Sequence, residues 1–193
     1  AGLADDITLT LSTTYKMQIN GNDPDGSLAP DGDRLNVPQT FDTIDVWSNK
    51  VAPSDVPIVS FGFPGSGFLP FAYSSIEDLG VFHGNTVNLI GDNNNPAGPD
   101  QTDNFVVVGQ DVMNPADGGV GEFTLAINGS LPIRFDDAHF LNAFGHEEID
   151  TLEITPYADD TPRGWGIDVS FDEGLPHGVD GDQADLLILH TSL

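Results

Sequence analysis

The chain lacks cysteine, is poor in basic residues and has no long apolar run, and each shortage excludes a class of function. Without cysteine, the 193 residues offer neither a disulfide framework nor thiolate metal or redox chemistry. Only 5 Lys and Arg stand against 31 Asp and Glu. Nucleic-acid binding needs cationic side chains at phosphates, so it is excluded, and binding to anionic membrane surfaces is disfavoured.

No apolar segment approaches the ~20 residues that cross a bilayer. Residues 1–6 also lack a basic leader followed by an apolar stretch. We therefore expect a soluble chain without membrane insertion. Ala1 in the first position indicates removal of an initiator Met or of a signal peptide, and both alternatives stay open.

The acidic excess is the most informative feature that the sequence does have. The formal net charge is -26, yet 38% of the residues are hydrophobic, which argues for a folded chain. Self-repulsion of this size opposes compaction unless salt screens it, cations neutralise it or a basic partner matches it. At molar ionic strength the Debye length is only ~3 Å, which removes most of the repulsion. We therefore expect a halophile's protein that high salt stabilises.

The composition also indicates an all-β fold. The acidic set contains 25 Asp and 6 Glu, beside 22 Gly and 14 Pro. Asp, Gly and Pro favour turns over helices, so we expect the negative charge on loops, above all in residues 20–33 and 91–104. Apolar blocks can bury one core, and the length fits a single domain, residues 1–193.

Alternating and β-branched runs predict around nine or ten strands, which favours a β-sandwich. Asn128-Gly129 supplies the two positive φ angles of a type I′ turn and predicts the clearest hairpin, and Pro132 makes its second arm an edge or loop-like strand. Asn128 also opens an N-x-Ser sequon, whose glycosylation stays open. Residues 185–190 form a run continuous enough for the middle of a sheet. The predicted strand segments are 7–19, as one strand or a strand pair (7–12 and 15–19), 41–47, 58–63, 86–90, 105–108, 122–127, 131–135, 149–155, 165–171 and 185–190.

Helix is expected to be minor, in two brief turns. Ser75 caps one of them over residues 75–79. Asp136 or Asp137 caps the other over residues 136–144, where three apolar side chains share one face. The apolar set on that face is Phe140, Leu141 and Phe144. The predicted core of the domain is Ile7, Leu9, Leu11, Ile44, Val46, Ile58, Val106, Val108, Phe123, Leu125, Ile154, Ile167, Val169, Leu187 and Leu189.

Two Asp-rich segments resemble cation-binding loops but fail the specific tests. Carboxylates between Asp23 and Asp33, with a Gly bend, could collect the roughly 6 to 8 oxygens that Ca²⁺ takes. Counted from Asp23, however, Gly26 comes too early for an EF-hand and Arg34 stands where its Glu belongs. We therefore assign no metal-binding residues, although adventitious or bridging cations are possible. The second such cluster is Asp92, Asp100 and Asp103 with Asn93 to Asn95.

The sequence carries no catalytic signature. The histidines form no pair at the spacing of a zinc helix, and the segment 146–148, His-Glu-Glu, lacks the second His of a zincin. Gly65-Ser66-Gly67 lacks a nucleophile-elbow frame, and sequence position does not reveal an acid–base carboxylate pair. We assign no catalytic or cofactor-binding residues and expect that the protein is not an enzyme. The histidines are His83, His139, His146, His177 and His190.

On this profile the chain resembles the small major capsid proteins of haloarchaeal icosahedral viruses with an internal membrane. The resemblance rests on the extreme acidity, the absence of cysteine, the length, the strand series from Ile7 to His190 and the lack of a reaction signature. It implies a single upright jelly-roll barrel in the virion capsid. It also implies assembly with copies of itself and with a larger, related capsid protein in pseudo-hexameric capsomers. It transfers no functional residues.

Two other classes of protein stay open. A secreted calcium- or carbohydrate-binding β-sandwich of a halophile would work through its loops, and calcium-dependent stability would favour it. A jelly-roll enzyme such as a cupin needs clustered His and carboxylate ligands, and the histidines, isolated in sequence, argue against it.

Overall fold

The structure is a computed structural model, and it describes residues 6–20, 34–49, 58–74, 76, 78–91, 103–111, 120–144, 151–157, 165–172 and 186–190. These residues form β-strands and turns but no helix, so the prediction of an all-β fold is confirmed. Fifteen strands follow in chain order: β1 (Asp6–Thr8), β2 (Met17–Asn20), β3 (Arg34–Asn36), β4 (Thr40–Asn49), β5 (Ile58–Gly62), β6 (Phe71–Ser74), β7 (Asp78–Leu79), β8 (Phe82–Ile90), β9 (Asn104–Gly109), β10 (Phe123–Ile127), β11 (Ile133–Asp136), β12 (Phe140–Phe144), β13 (Thr151–Thr155), β14 (Asp168–Asp172) and β15 (Leu186–Leu189).

Four strands stack in parallel in the order of the chain, as β4, β8, β12 and β14. Their register aligns residues at the same position of each strand, so that apolar side chains form rows across the strands. One row consists of Ile44, Val87, Leu141 and Val169. The first three of these side chains are fully buried, whereas Val169 in the last strand is 40% exposed. The row is therefore apolar along its whole length and loses its cover at β14.

A second parallel stack is formed by β9, β13 and β15. Each of its strands follows a strand of the first stack along the chain, because β9 comes after β8, β13 after β12 and β15 after β14. Successive strand pairs thus add coils to a growing stack, as in β-solenoids, where each unit contacts mainly its neighbours. A smaller parallel sheet contains β1, β3 and β7.

Antiparallel strands are inserted into this parallel arrangement. β5 pairs antiparallel with both β4 and β6, and β10 pairs antiparallel with both β9 and β11. In the described residues, nine of the thirteen strand pairs are nevertheless parallel. A jelly roll consists of two antiparallel Greek keys. The jelly-roll topology is therefore not confirmed.

An amide ladder crosses the first stack beside its apolar rows. The Asn88 Nδ2 donates to Asp45 Oδ1 at 2.7 Å, and the Asn142 Nδ2 donates to Asn88 Oδ1 at 2.9 Å. The three residues occupy one register position on β4, β8 and β12. Ladders of this kind stabilise stacked parallel strands, because each amide both donates and accepts along the stacking direction.

Stacked aromatic rings fill much of the core. Phe61 lies 4.5 Å from Phe82 between ring centroids, and Phe123 lies 4.9 Å from Phe135. A tight turn follows Phe63, where the Ser66 N–H donates to the Phe63 carbonyl; the Phe63 ring is buried and the Phe68 ring is half-buried. Offset stacking of such rings adds about 0.5–1.5 kcal/mol per pair beyond the burial of their area.

Seven of the fifteen predicted core residues are buried, namely Leu9, Leu11, Ile44, Val46, Phe123, Leu125 and Ile154. In β9 the prediction chose the wrong set of alternate residues for the core. Phe105 and Val107 are buried, whereas Val106 and Val108 are only half-buried. A continuous apolar run does not reveal which set of alternate residues faces the core. Ile58 and Ile167 are also half-buried, and Ile7, Val169, Leu187 and Leu189 are exposed.

The predicted helix over residues 136–144 is wrong. Asp136 ends β11, a bend follows, and residues 140–144 form β12. In β12 alternate residues are buried, Leu141 and Ala143, while Phe140 is 44% exposed. The prediction counts Phe140 with Leu141 and Phe144 as one apolar helix face, but the Phe140 side chain is not part of the core. Pairing with β8 on one side and β14 on the other overrode that local pattern.

The predicted helical turn over residues 75–79 is also wrong where the structure describes it. Residues 78–79 form strand β7, and Ile76 is buried outside any helix, whereas Ser75 and Glu77 lie outside the described residues. The strand at residues 186–189 is β15, and it pairs with β13 alone among the described residues. Among the described strands it therefore lies at an edge and not in the predicted middle of the sheet.

The hairpin prediction at Asn128-Gly129 is confirmed. Asn128 has φ 53° and Gly129 has φ 76°, and β10 pairs antiparallel with β11. The second arm begins only at Ile133, after Pro132, which lacks an N–H to donate. It is not an edge strand, because β11 also pairs with β8.

Several predictions lie outside the described residues: most of the loops 20–33 and 91–104, the Asp-rich segments except Asp103 and Arg34, the segment 146–148 and His177.

Candidate functional site

The sheet branches where β11 passes into β12. Both strands pair in parallel with the same edge of β8, β11 at Phe82 and His83 and β12 from Thr86 onward. The register changes by one residue between the two contacts, so the segment 137–139 contains one residue more than the part of β8 that it passes. This is a β-bulge, a feature that bends a strand and redirects side chains. Beyond it β12 pairs with β14 instead of β10. We call this region the branch point.

The backbone at the branch point adopts unusual φ angles and is held by hydrogen bonds. Asp137 has φ 64°, in the left-handed region that Asp tolerates better than most residues. Gly121 packs against it with φ 78°, and a Cβ there would lie 2.7 Å from the Ala138 carbonyl oxygen. The Ala138 N–H donates to the Gly121 carbonyl, and the His139 N–H donates to the Asn85 carbonyl to restart the ladder. These bonds hold the bulge in one conformation.

The bulge brings three ionisable side chains together, His83, Asp136 and Asp137, which we call the His83 cluster. Asp136 lies opposite His83 in the parallel register. The His83 Nδ1 lies 3.2 Å from Asp137 Oδ2 and 3.5 Å from Asp136 Oδ2. One ligand atom from each of the three side chains falls within 4.8 Å of the other two. The arrangement can share a proton or a cation.

Burial makes the Asp136 carboxylate the critical member of this cluster. Its side chain is only 7% exposed, against 61% for Asp137 and 38% for His83. Burial, and next the negative charge of Asp137, raise the pKa of the Asp136 carboxyl above its ordinary value; the Asp137 N–H and His83 act in the opposite direction. Glu122, fully buried, raises the pKa further. The charged form of Asp136 is therefore destabilised in the fold.

Sequence reasoning missed this cluster. It treated His83 as isolated and Asp136 or Asp137 as a helix cap, because 53 residues separate Asp136 from His83 along the chain. Only the strand register makes them neighbours. Of the other histidines, His139 is exposed and its Nδ1 lies 3.2 Å from the Asp137 carbonyl oxygen, and His190 Nε2 lies 2.7 Å from Glu153 Oε1. His190 therefore faces one carboxylate where His83 faces two.

A second candidate site is the uncovered end of the two parallel stacks. In the described residues β14 pairs with β12 alone and β15 with β13 alone, so each has one unpaired edge. Leu187 continues the row of buried Phe105 and Leu152, and Leu189 continues the row of buried Val107 and Ile154. Leu187 is nevertheless 42% exposed and Leu189 62%. We call the exposed apolar residues of β14 and β15 the open end; they are Val169, Leu186, Leu187 and Leu189.

Both polar atoms of the Asn128 side chain, in the sequon, make hydrogen bonds. Its Nδ2 donates to Asp103 Oδ1 at 2.6 Å, and its Oδ1 accepts from the Asn104 N–H at 2.9 Å. Asp103 is buried. The Asn128 amide therefore links the hairpin to the approach to β9.

Comparisons with protein-family models, curated proteins and solved structures give no match for this chain. Over the described residues, a search for a helix of sufficient length and apolarity to cross a membrane finds none. The function is therefore inferred from the geometry and charge of the chain.

Proposed function

We propose that the protein is a structural subunit, which assembles with copies of itself through the open end. The observation that carries this proposal is the pair of rows that end at β15. Leu187 and Leu189 stand in register with fully or almost fully buried residues but are exposed themselves. An edge strand with free backbone groups and apolar side chains is a template for pairing with another chain.

The charge of the chain sets the conditions for such assembly. Subunits with a net charge of -26 repel each other, and bringing like charges together at an interface costs several kcal/mol unless they are compensated. Concentrated salt or bridging cations supply that compensation. The open end itself is mainly apolar, with Asp168 and Asp172 at the two ends of β14. Assembly is therefore expected in molar salt and lost on dilution.

A capsid subunit of a haloarchaeal virus, acting with a related larger capsid protein, is the specific form of this proposal. Its support is the sequence resemblance and the acidic, all-β character of the chain. The proposal requires no catalysis. It does not depend on a jelly-roll topology, because the open end is defined by the exposure of apolar residues on β14 and β15.

Sedimentation velocity in 3 M KCl tests the proposal, over a range of protein concentrations. The wild-type chain is expected to assemble as its concentration rises. A variant carrying Leu187→Asp and Leu189→Asp should stay monomeric, because each Asp would place a charge in the new interface. Leu131→Asp is the matched control, since Leu131 is exposed to 36% beside the β10–β11 hairpin and lies outside β14 and β15.

Two results would contradict the proposal. One is a double variant that assembles as the wild type does. The other is a wild-type chain that stays monomeric in molar salt, with and without a related capsid protein, yet binds calcium or a glycan tightly. The second result would favour the secreted binding module instead.

A further inference from the structure

We infer that the His83 cluster is a binding site for a divalent transition-metal ion of the zinc class. This inference goes beyond the proposed assembly function and does not depend on it. The ligand set is one imidazole nitrogen and two carboxylate oxygens, on His83, Asp136 and Asp137. Zn²⁺ binds such nitrogen and oxygen ligands, whereas Ca²⁺ takes oxygen ligands throughout.

The two distances from His83 to the carboxylates fit a tetrahedral metal. Zn–N and Zn–O bonds of about 2.0–2.2 Å imply ligand-to-ligand separations of about 3.3 Å around a tetrahedron. The His83 Nδ1 lies 3.2 Å from Asp137 Oδ2 and 3.5 Å from Asp136 Oδ2, close to that separation. Three protein ligands leave a fourth position for water or another ligand, as in many zinc sites that are not purely structural.

The Asp136 carboxylate gives an independent reason to expect a cation. Its side chain is more than nine-tenths buried. The Oδ1 accepts a hydrogen bond from the Asp137 N–H, whereas the Oδ2 accepts none in the described part of the chain and faces His83 Nδ1 at 3.5 Å. Buried carboxylates are normally paired or bound to metal. Here the second carboxylate, Asp137, adds negative charge that one imidazole cannot balance.

The backbone also holds the three ligands in place before any ion arrives. Asp136 is fixed by its register with His83, and Asp137 by the bulge hydrogen bonds of the branch point. Rigid strands and a locked bulge position ligands more accurately than a free loop does. A bound ion would join β8 to the end of β11 and stabilise the bulge.

Equilibrium binding of Zn²⁺, measured by calorimetry in 2 M KCl, tests the inference. High salt screens the diffuse attraction of cations to so acidic a chain and leaves coordination at specific sites. The wild type is expected to bind one Zn²⁺ that Ca²⁺ in large excess does not displace. His83→Ala and Asp136→Asn should each weaken this binding at least tenfold. His190→Ala is the matched control, because it removes a histidine that faces a single carboxylate, and it should leave the affinity unchanged.

A spectroscopic measurement keeps the test independent of how the variants fold. Co²⁺ in a tetrahedral nitrogen and oxygen site absorbs visible light far more strongly than octahedral Co²⁺. The wild type with one equivalent of Co²⁺ is expected to show the strong bands, and Zn²⁺ should abolish them. The inference is overturned if only the weak octahedral spectrum appears. It is also overturned if His83→Ala binds Zn²⁺ as the wild type does, or if His190→Ala weakens binding equally, since the association would then be adventitious.

Discussion

Truncation of two leucines in the same register row measures where the stack ends. Leu152 on β13 and Leu187 on β15 are direct neighbours in the parallel ladder. Leu152 is fully buried, whereas Leu187 is 42% exposed. Leu→Ala at a buried site costs about 2–5 kcal/mol through lost transfer free energy and the cavity left behind. A half-exposed leucine loses about 1 kcal/mol, because only part of its area leaves water on folding.

These free energies convert into a large difference in thermal stability. For a chain of this length, 1 kcal/mol shifts Tm by about 2–4 °C. Leu152→Ala is therefore expected to lower the Tm of the monomer by about 4–20 °C, and Leu187→Ala by about 2–4 °C. Melting followed by circular dichroism at low protein concentration in 3 M KCl gives both values. Low concentration matters, because assembly would bury Leu187 and add its own stabilisation.

At high protein concentration Leu187→Ala should affect association more than Leu152→Ala does. If a second copy covers Leu187, Leu187→Ala weakens association by about 1–2 kcal/mol, or roughly 5- to 30-fold in Kd. Leu152→Ala should leave the association constant of the folded fraction unchanged. Equal Tm losses for the two variants in the monomer would refute the reasoning, since β15 would then be as buried as β13.

Further predictions concern salt, charge and the stacked strands. Melting temperature should rise strongly from low to multimolar KCl, and a flat curve would contradict the expectation of a halophile's protein. Because the pKa of Asp136 is raised in the fold, its charged form costs stability at neutral pH, and this cost disappears as the pH falls through the folded pKa towards the ordinary value of 3.8. Asp136→Asn, measured with a chelator, should therefore stabilise the chain at pH 7 by chemical denaturation, and the gain should shrink at low pH; a loss at pH 7 would contradict the electrostatic assignment. Asn88→Leu breaks the amide ladder on both sides and leaves the half-buried Asn142 amide without its acceptor, so we expect a loss of about 1–3 kcal/mol in urea unfolding. Gly129→Ala places a Cβ on a residue with φ 76° and should cost about 1–2 kcal/mol in the same assay, whereas an unchanged midpoint would contradict the type I′ geometry.

Branch-point chemistry illustrates how a bulge can create a site from ordinary strand residues. His83 and Asp136 are cross-strand neighbours because of the parallel register of β8 and β11, and Asp137 joins them because the extra residue turns the chain at that position. Bulges are frequent beside functional sites for this reason. The His83 cluster therefore depends on register and on one inserted residue, and neither is a sequence motif.

The sequence by itself determined the features that depend on short-range chemistry. The excess of Asp over Glu, the many Gly and Pro residues and the period-two runs are enough to predict an acidic, all-β chain in which helix is minor. Asn128-Gly129 specified its own turn, because few other residue pairs tolerate two positive φ angles. These properties require only a residue and its immediate neighbours.

Tertiary structure alone decided which strands pair, and therefore where a candidate site and an open end lie. Val87 meets Leu141 across 54 residues and Leu141 meets Val169 across 28, and no local pattern encodes a parallel register over such separations. The same pairing turned residues 140–144 from a predicted helix into β12, and it placed β15 at an edge of the described sheet despite its apolar run. The physical reason is that alternation fixes a strand's two faces, whereas its neighbours are selected by packing of the whole chain.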